Sequence, residues 1–198
     1  SEYNVVQGNL VGTDVTGTAP LGNDDSGIRF SGGSSHGIVG GVEPNARNII
    51  SNNGRFGLRF SGGSHSAVIK NNYIGVDITG TAAMGNDTSG VRFSGGSDSC
   101  QVGGSAPNEG NVISANGDEG LLFSGGAAEG AIVQGNKIGT DRFGSTNLGN
   151  GSYGIRMETT DPPGRIALIG GVNPGEGNII AFNDSAGVLL TDELRIPV

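Results

Sequence analysis

The 198-residue chain has no tryptophan, only 5% aromatic residues and a single cysteine. So small an aromatic supply excludes a wide, ring-filled core and favours a narrow one fed by many short apolar runs. One cysteine excludes an intramolecular disulfide framework. Cys100 sits in the strand-like run "SCQVGG" and reads as a small core residue. No apolar stretch approaches the roughly 18 residues that a membrane span requires. Runs of like charge are absent, so no charged tail is expected. Positive charge is scarce, with 11 Lys and Arg against 19 Asp and Glu and a net charge of −8. A chain of this sign repels phosphate backbones, and nucleic acid is not an expected partner.

Glycine is what the chain has in excess. Its 40 glycines are about three times ordinary usage, and without a G-X-Y period they do not read as collagen. Many fall in repeats. "GIRFSGGS" at 27–34 returns as "GLRFSGGS" at 57–64, "GVRFSGGS" at 90–97 and "GLLFSGGA" at 120–127. Longer copies begin at Val5, Val68 and Ile132, a period of 63 and then 64 residues. The first glycine of the octapeptide marks a shorter unit at Gly27, Gly57, Gly90, Gly120, Gly154 and Gly187, spaced by 30, 33, 30, 34 and 33 residues. Two kinds of unit alternate, one carrying "IGG…PN…GNII" and the other "IGTD…GT…LGN". The third long copy has extra residues near "TTDPPGR" (159–165), read as a loop insertion.

Within each unit apolar residues alternate, as in Ile28/Phe30, Leu58/Phe60, Val91/Phe93, Leu121/Phe123, Ile155/Met157 and Val188/Leu190. A period of two is a strand with one face inward. The other apolar runs are three to five residues long and end in Gly or Asn, too short for helices. Strands this short, recurring every 30–34 residues, describe a solenoid whose coils bury apolar faces only by stacking, about 4.8 Å apart. Like then lies over like, and "SGG" recurs because every coil turns the same corner. A competing register divides the long period by three, giving 21-residue coils and about nine turns; the longer coil is preferred because it stacks identical segments. Asn9, Asn72 and Asn136 are equivalent, as are Asn53, Asn116 and Asn183, and such residues suit left-handed turns and amide ladders between coils.

The segments "NLVGTDVTGTAPLGN", "NYIGVDITGTAAMGN" and "NKIGTDRFGSTNLGN", alternating with "IGGVNPGEGNII", resemble the right-handed parallel β-helix repeat proteins of the pectin-lyase-like superfamily, over about residues 5–190. The resemblance implies an all-β fold: a right-handed parallel β-helix (solenoid) of about six coils of 30–34 residues with three short parallel sheets. Residues 1–198 then form a single β-helix domain, a segment of a longer solenoid or a stackable subunit. The superfamily holds lyases, hydrolases, adhesins and many surface proteins, so the fold alone does not select a function.

Pectin hydrolases of that superfamily carry Asn-Thr-Asp, Asp-Asp, Gly-His-Gly and Arg-x-Lys motifs. Here Asp24-Asp25 stands alone, His36 lies in "SSHGI", and "NTD" and "RIK" are absent. No catalytic residue is therefore assigned. His36 and His65 lie one coil apart without a third ligand, and no metal site is assigned to them. Lyases of the superfamily use calcium. Asp14, Asp77 and Asp141 recur on every second coil, about 9.6 Å apart, too far to share one ion. They read as caps of their own turns, calcium on a single loop being the alternative, and no cofactor is assigned.

Arg29, Arg59 and Arg92 take the outward middle position of successive strands, Leu122 interrupts the column and Arg156 resumes it. Like charges about 5 Å apart repel by roughly 1 kcal/mol in water. Neighbouring acids would relieve this; so would an acidic polysaccharide, whose carboxylates match guanidinium. These four arginines are the candidate ligand-binding residues. Asn86, Asn150 and Asn183 head Asn-x-Ser/Thr sequons. The start of the chain resembles what its finish lacks, which suggests head-to-tail self-association or adjoining β-helix segments. The expectation is a non-catalytic extracellular or cell-surface scaffold (stalk, adhesin segment or filament subunit). The alternative is a polysaccharide-binding or lyase- or hydrolase-like domain.

Overall fold

The computed structural model describes residues 2–43, 45–159 and 167–192. Among these residues, eighteen short strands, numbered in chain order, form three parallel six-stranded sheets. Sheet I contains β1 (Val5–Val6), β4 (Ile38–Gly40), β7 (Val68–Lys70), β10 (Gln101–Gly103), β13 (Ile132–Gln134) and β16 (Leu168–Ile169). Sheet II contains β2 (Leu10–Val11), β5 (Ile49–Ile50), β8 (Tyr73–Ile74), β11 (Val112–Ile113), β14 (Lys137–Ile138) and β17 (Ile179–Ile180). Sheet III contains β3 (Ile28–Phe30), β6 (Leu58–Phe60), β9 (Val91–Phe93), β12 (Leu121–Phe123), β15 (Ile155–Thr159) and β18 (Val188–Asp192). The chain visits the sheets in the order I, II, III on every coil. The result is a parallel β-solenoid six rungs high, about five turns from first rung to last. The insertion expected near 159–165 lies almost wholly outside the described residues.

The register settles the coil length. Leu58 pairs with Ile28 below and Val91 above, Leu121 with Val91 and Ile155, and Val188 with Ile155. These are the glycine spacings read from the sequence, and the 21-residue coil is excluded. Sheet III points two residues of each strand inward. Phe30, Phe60, Phe93 and Phe123 stack with ring centroids 4.8, 4.9 and 4.9 Å apart, and Met157 continues their column. Sheets I and II contribute one inward column each: Val39, Ile69, Val102 and Val133, and Ile50, Ile74, Ile113 and Ile138, all fully buried. Cys100 belongs to this core and is buried beside Ala67 and Ala131; burial pushes its thiol far above the usual range. The "SGG" corners need paired left-handed residues, with Gly32 and Gly33 at φ 63° and 74° and Gly62 and Gly63 the same. A Cβ at Gly32 would meet no atom within 4 Å, so the requirement there is conformational rather than steric.

Two asparagine ladders run through the corners on either side of sheet II. The first is Asn9, Asn48, Asn72, Asn111, Asn136 and Asn178, in which each member but the last donates from Nδ2 to Oδ1 of the next, at 2.9–3.1 Å. In the second, Asn23, Asn53, Asn86, Asn116, Asn150 and Asn183 do the same at 2.8–2.9 Å. Each Oδ1 also accepts the backbone N–H of the preceding ladder residue, as Asn116 does from Asn86. The sequence reading found every other member; the alternate unit supplies the rest. Asn86 and Asn150, two of the three sequon asparagines, are buried in the second ladder, so the folded rod withholds them from glycosylation.

A buried rung left without its partner costs about 1–3 kcal/mol for each unsatisfied group. Asn116→Ala should therefore destabilise the chain by about 3–5 kcal/mol, and Asn23→Ala, at the exposed rung, by about 1 kcal/mol. Urea midpoints check this, and equal losses for the two variants would contradict the ladder.

Candidate functional site: basic faces on two sides of the solenoid

The four predicted arginines share one face of sheet III. Arg29 lies over Arg59 and Arg59 over Arg92; Leu122 separates Arg92 from Arg156. Parallel in-register pairing forces this alignment, since every strand enters the sheet at the same residue. Their environments differ. Arg156 is neutralised: Nη1 lies 3.4 Å from Glu119 Oε1 and Nη2 lies 2.7 Å from Glu158 Oε1. Buried Glu119 also accepts a hydrogen bond from Ser89 Oγ at 2.8 Å. Arg29, Arg59 and Arg92 make no ion pair among the described residues. Arg59 and Arg92 instead lie 5.7 and 5.2 Å from the centroid of buried Phe56, which Arg55 also covers at 5.1 Å. Arg55 reaches Asp25 at 3.5 Å. The Nε atoms of Arg59, Arg92 and Arg156 are all buried without an acceptor among the described residues. Burial, then repulsion from Arg29 and Arg92, lowers the pKa of Arg59, against a smaller opposing pull from Asp25.

The repeated aspartates cap their own turns. Asp14 Oδ1 accepts the N–H groups of Thr18 and Ala19, both at 3.1 Å. Asp77 accepts those of Thr81 and Ala82 at 3.2 and 3.1 Å, and Asp141 those of Ser145 and Thr146 at 2.9 and 3.1 Å. Thr16 and Thr79 add hydroxyl bonds to the same carboxylates. For Asp14 the Ala19 N–H is the largest cause of a lowered pKa, and for Asp141 the Ser145 N–H. For Asp77 burial raises the pKa, but Thr79 and the turn's N–H groups together outweigh it. Among the described residues no group of three or more His, Cys, Asp or Glu is placed to hold a metal ion. The two histidines are one rung apart in backbone bonding. His36 stacks on Tyr3 at 4.7 Å and His65 Nδ1 lies 3.1 Å from Asp98 Oδ1.

A second basic surface escaped the sequence reading. Sheet II presents Leu10, Ile49, Tyr73, Val112, Lys137 and Ile179 outward in one column. Two sets of loops wall it in. The aspartate-capped hairpins follow sheet II on alternate coils, closed by the bridges Thr13–Pro20, Val76–Ala83 and Thr140–Asn147. The "PN" arms precede it on the others. The hairpins also bond to one another, Ile78 N–H to Gly17 O at 3.0 Å and Arg142 N–H to Gly80 O at 2.9 Å. Gly80 permits this approach, because a Cβ there would lie 2.7 Å from the Tyr73 ring and 3.1 Å from Arg142 Cβ. Arg47, from a "PN" arm, lies over Tyr73 at 4.1 Å from its centroid. Only the coil geometry brings Arg47, Lys137 and Arg142 to one trough; they share no motif and no spacing in the sequence.

No family model, no curated protein and no solved structure matches this chain.

Leu122 shows that the arginine column accepts an apolar residue. Arg59→Leu removes a repelling charge and an unpaired buried donor, and should stabilise the chain by about 0.5–1 kcal/mol. Arg156→Leu strands buried Glu119 and should cost about 1–3 kcal/mol. Denaturant midpoints of the two variants check the opposite signs, and a shared sign would contradict the assigned environments.

Proposed function

We propose that the chain is a non-catalytic structural scaffold of the cell exterior, a stalk, adhesin segment or filament subunit. The observation that carries this reading is the pair of unbroken asparagine ladders flanking sheet II. They commit the largest set of buried polar side chains to holding coil upon coil. The repeated aspartates are likewise occupied by their own turns. The resemblance of the repeats to the pectin-lyase-like superfamily, adhesin-type β-helices included, accords with this role, and the reading includes association along the axis with further β-helix coils.

A second reading rests on the arginines of sheet III. Arg29, Arg59 and Arg92 carry positive charge without an ion pair among the described residues, on an acidic protein. Unpaired guanidinium groups in a row suit a chain of carboxylates, which would make this face a binding strip for an acidic polysaccharide. Release of unsaturated products from polyuronates, with and without calcium, separates catalysis from scaffolding. The scaffold reading expects no turnover, and turnover abolished by Arg59→Ala would overturn it. Polyuronate retention that is lost in Arg59→Ala, without turnover, would establish the second reading.

A further inference from the structure

We propose that the trough over sheet II is a binding site for a tetrahedral oxyanion, a phosphate or sulfate group, held by Arg47, Lys137 and Arg142. This goes beyond the scaffold reading and uses a different face from the arginine column. The central cavity of the trough has a volume of about 630 Å³, within the usual range for small-molecule sites. Arg47, Lys137 and Arg142 line it, and none of the other described residues that line it is acidic. On a protein of net charge −8 a cavity lined, among the described residues, by three cations and no carboxylate is a local reversal of sign; Glu43 lines the adjoining cavity of the trough, which shares Arg47. None of the three makes an ion pair among the described residues.

Of the acids beside the cavity, Glu109 is already engaged. Glu109 lies 2.6 Å from Lys70 Nζ, and that contact is the leading cause of its lowered pKa. It therefore does not neutralise the trough. Lys137 stands two rungs from Tyr73 along the same outward column, and Arg142 reaches the trough from the neighbouring hairpin. Cations thus approach from a "PN" arm, from the floor and from a hairpin.

The way Arg47 is held fixes the side from which it can meet an anion. Its Nε donates to the backbone oxygen and Oδ1 of Asn71, both at 3.2 Å, and its Nη2 to the same Oδ1 at 2.6 Å. The ring of Tyr73 supports one face of the guanidinium. The side-on fork through Nε is therefore taken, and the end-on side of the guanidinium is left for an anion. Nη1 has no acceptor among the described residues, and with the outer hydrogen of Nη2 it offers end-on donors. A tetrahedral anion accepts single bonds from several directions and carries up to two charges, which matches one end-on guanidinium together with an ammonium and a second guanidinium.

Isothermal titration of the full chain with inorganic phosphate, sulfate, glycerol phosphate and malonate tests this. Saturable binding of phosphate and sulfate is expected, with malonate clearly weaker. Lys137→Ala and Arg142→Ala should each weaken phosphate binding about tenfold, while Arg29→Ala leaves it unchanged. Tighter binding of glycerol phosphate than of inorganic phosphate would assign the esterified form, and the reverse order the free ion. Absence of saturable binding overturns the proposal. Malonate binding as tight as phosphate does so too, as does equal loss in Arg29→Ala, which would mark a diffuse charge effect.

Discussion

Backbone hydrogen bonding between successive coils is the constraint from which the rest follows. Each short strand pairs in parallel with the strand a whole coil earlier and a whole coil later. No strand here could hold its place alone, and no coil can bury its own apolar face. Once coils lie about 4.8 Å apart, every inward side chain has its counterpart directly above and below. The chain's poverty in aromatic residues then ceases to be a weakness, because four phenylalanines in one stack form a continuous spine.

The same constraint governs polar groups. A buried amide is costly unless paired, and in a stack the nearest partner is another amide one rung away. Asparagine can donate and accept at once, so it propagates without a terminus inside the rod. Arginine cannot: it only donates, and a column of arginines accumulates repulsion and unpaired donors. The structure shows two outcomes. Arg156 has recruited Glu119 and Glu158, whereas Arg59 and Arg92 rest against Phe56 without an ion pair among the described residues; the Nε of all three stays unpaired. Aspartate repeats only on alternate coils and turns inward on its own loop, which avoids the corresponding problem for negative charge.

Much of this was legible in the sequence, and for a physical reason. In-register stacking copies each structural demand at a fixed interval, so the spacing of Gly27, Gly57, Gly90, Gly120, Gly154 and Gly187 is also the register of sheet III. The arginine column and the turn-capping aspartates were visible on the same grounds. The asparagine ladders were half visible, because Asn48, Asn111 and Asn178 lie in a different kind of unit from Asn9, Asn72 and Asn136. The trough over sheet II was not visible. Arg47, Lys137 and Arg142 belong to an arm, a strand and a hairpin, and their meeting depends on how far loops lean across a sheet, as the contact of Gly80 with Tyr73 and Arg142 shows. Periodicity reports what stacks, and it is silent about lateral contacts between unlike loops.

Spin labels at Arg29→Cys and Arg156→Cys, in a Cys100→Ala background, would measure the stacking itself by pulsed dipolar spectroscopy. These positions face outward on β3 and β15, four rungs apart, so a separation centred near about 19 Å is expected. Coils of 21 residues would place the same pair six rungs apart, near about 29 Å. A distribution centred there, or one too broad to define a rung spacing, would contradict a rod built by laying each coil on its own repeat.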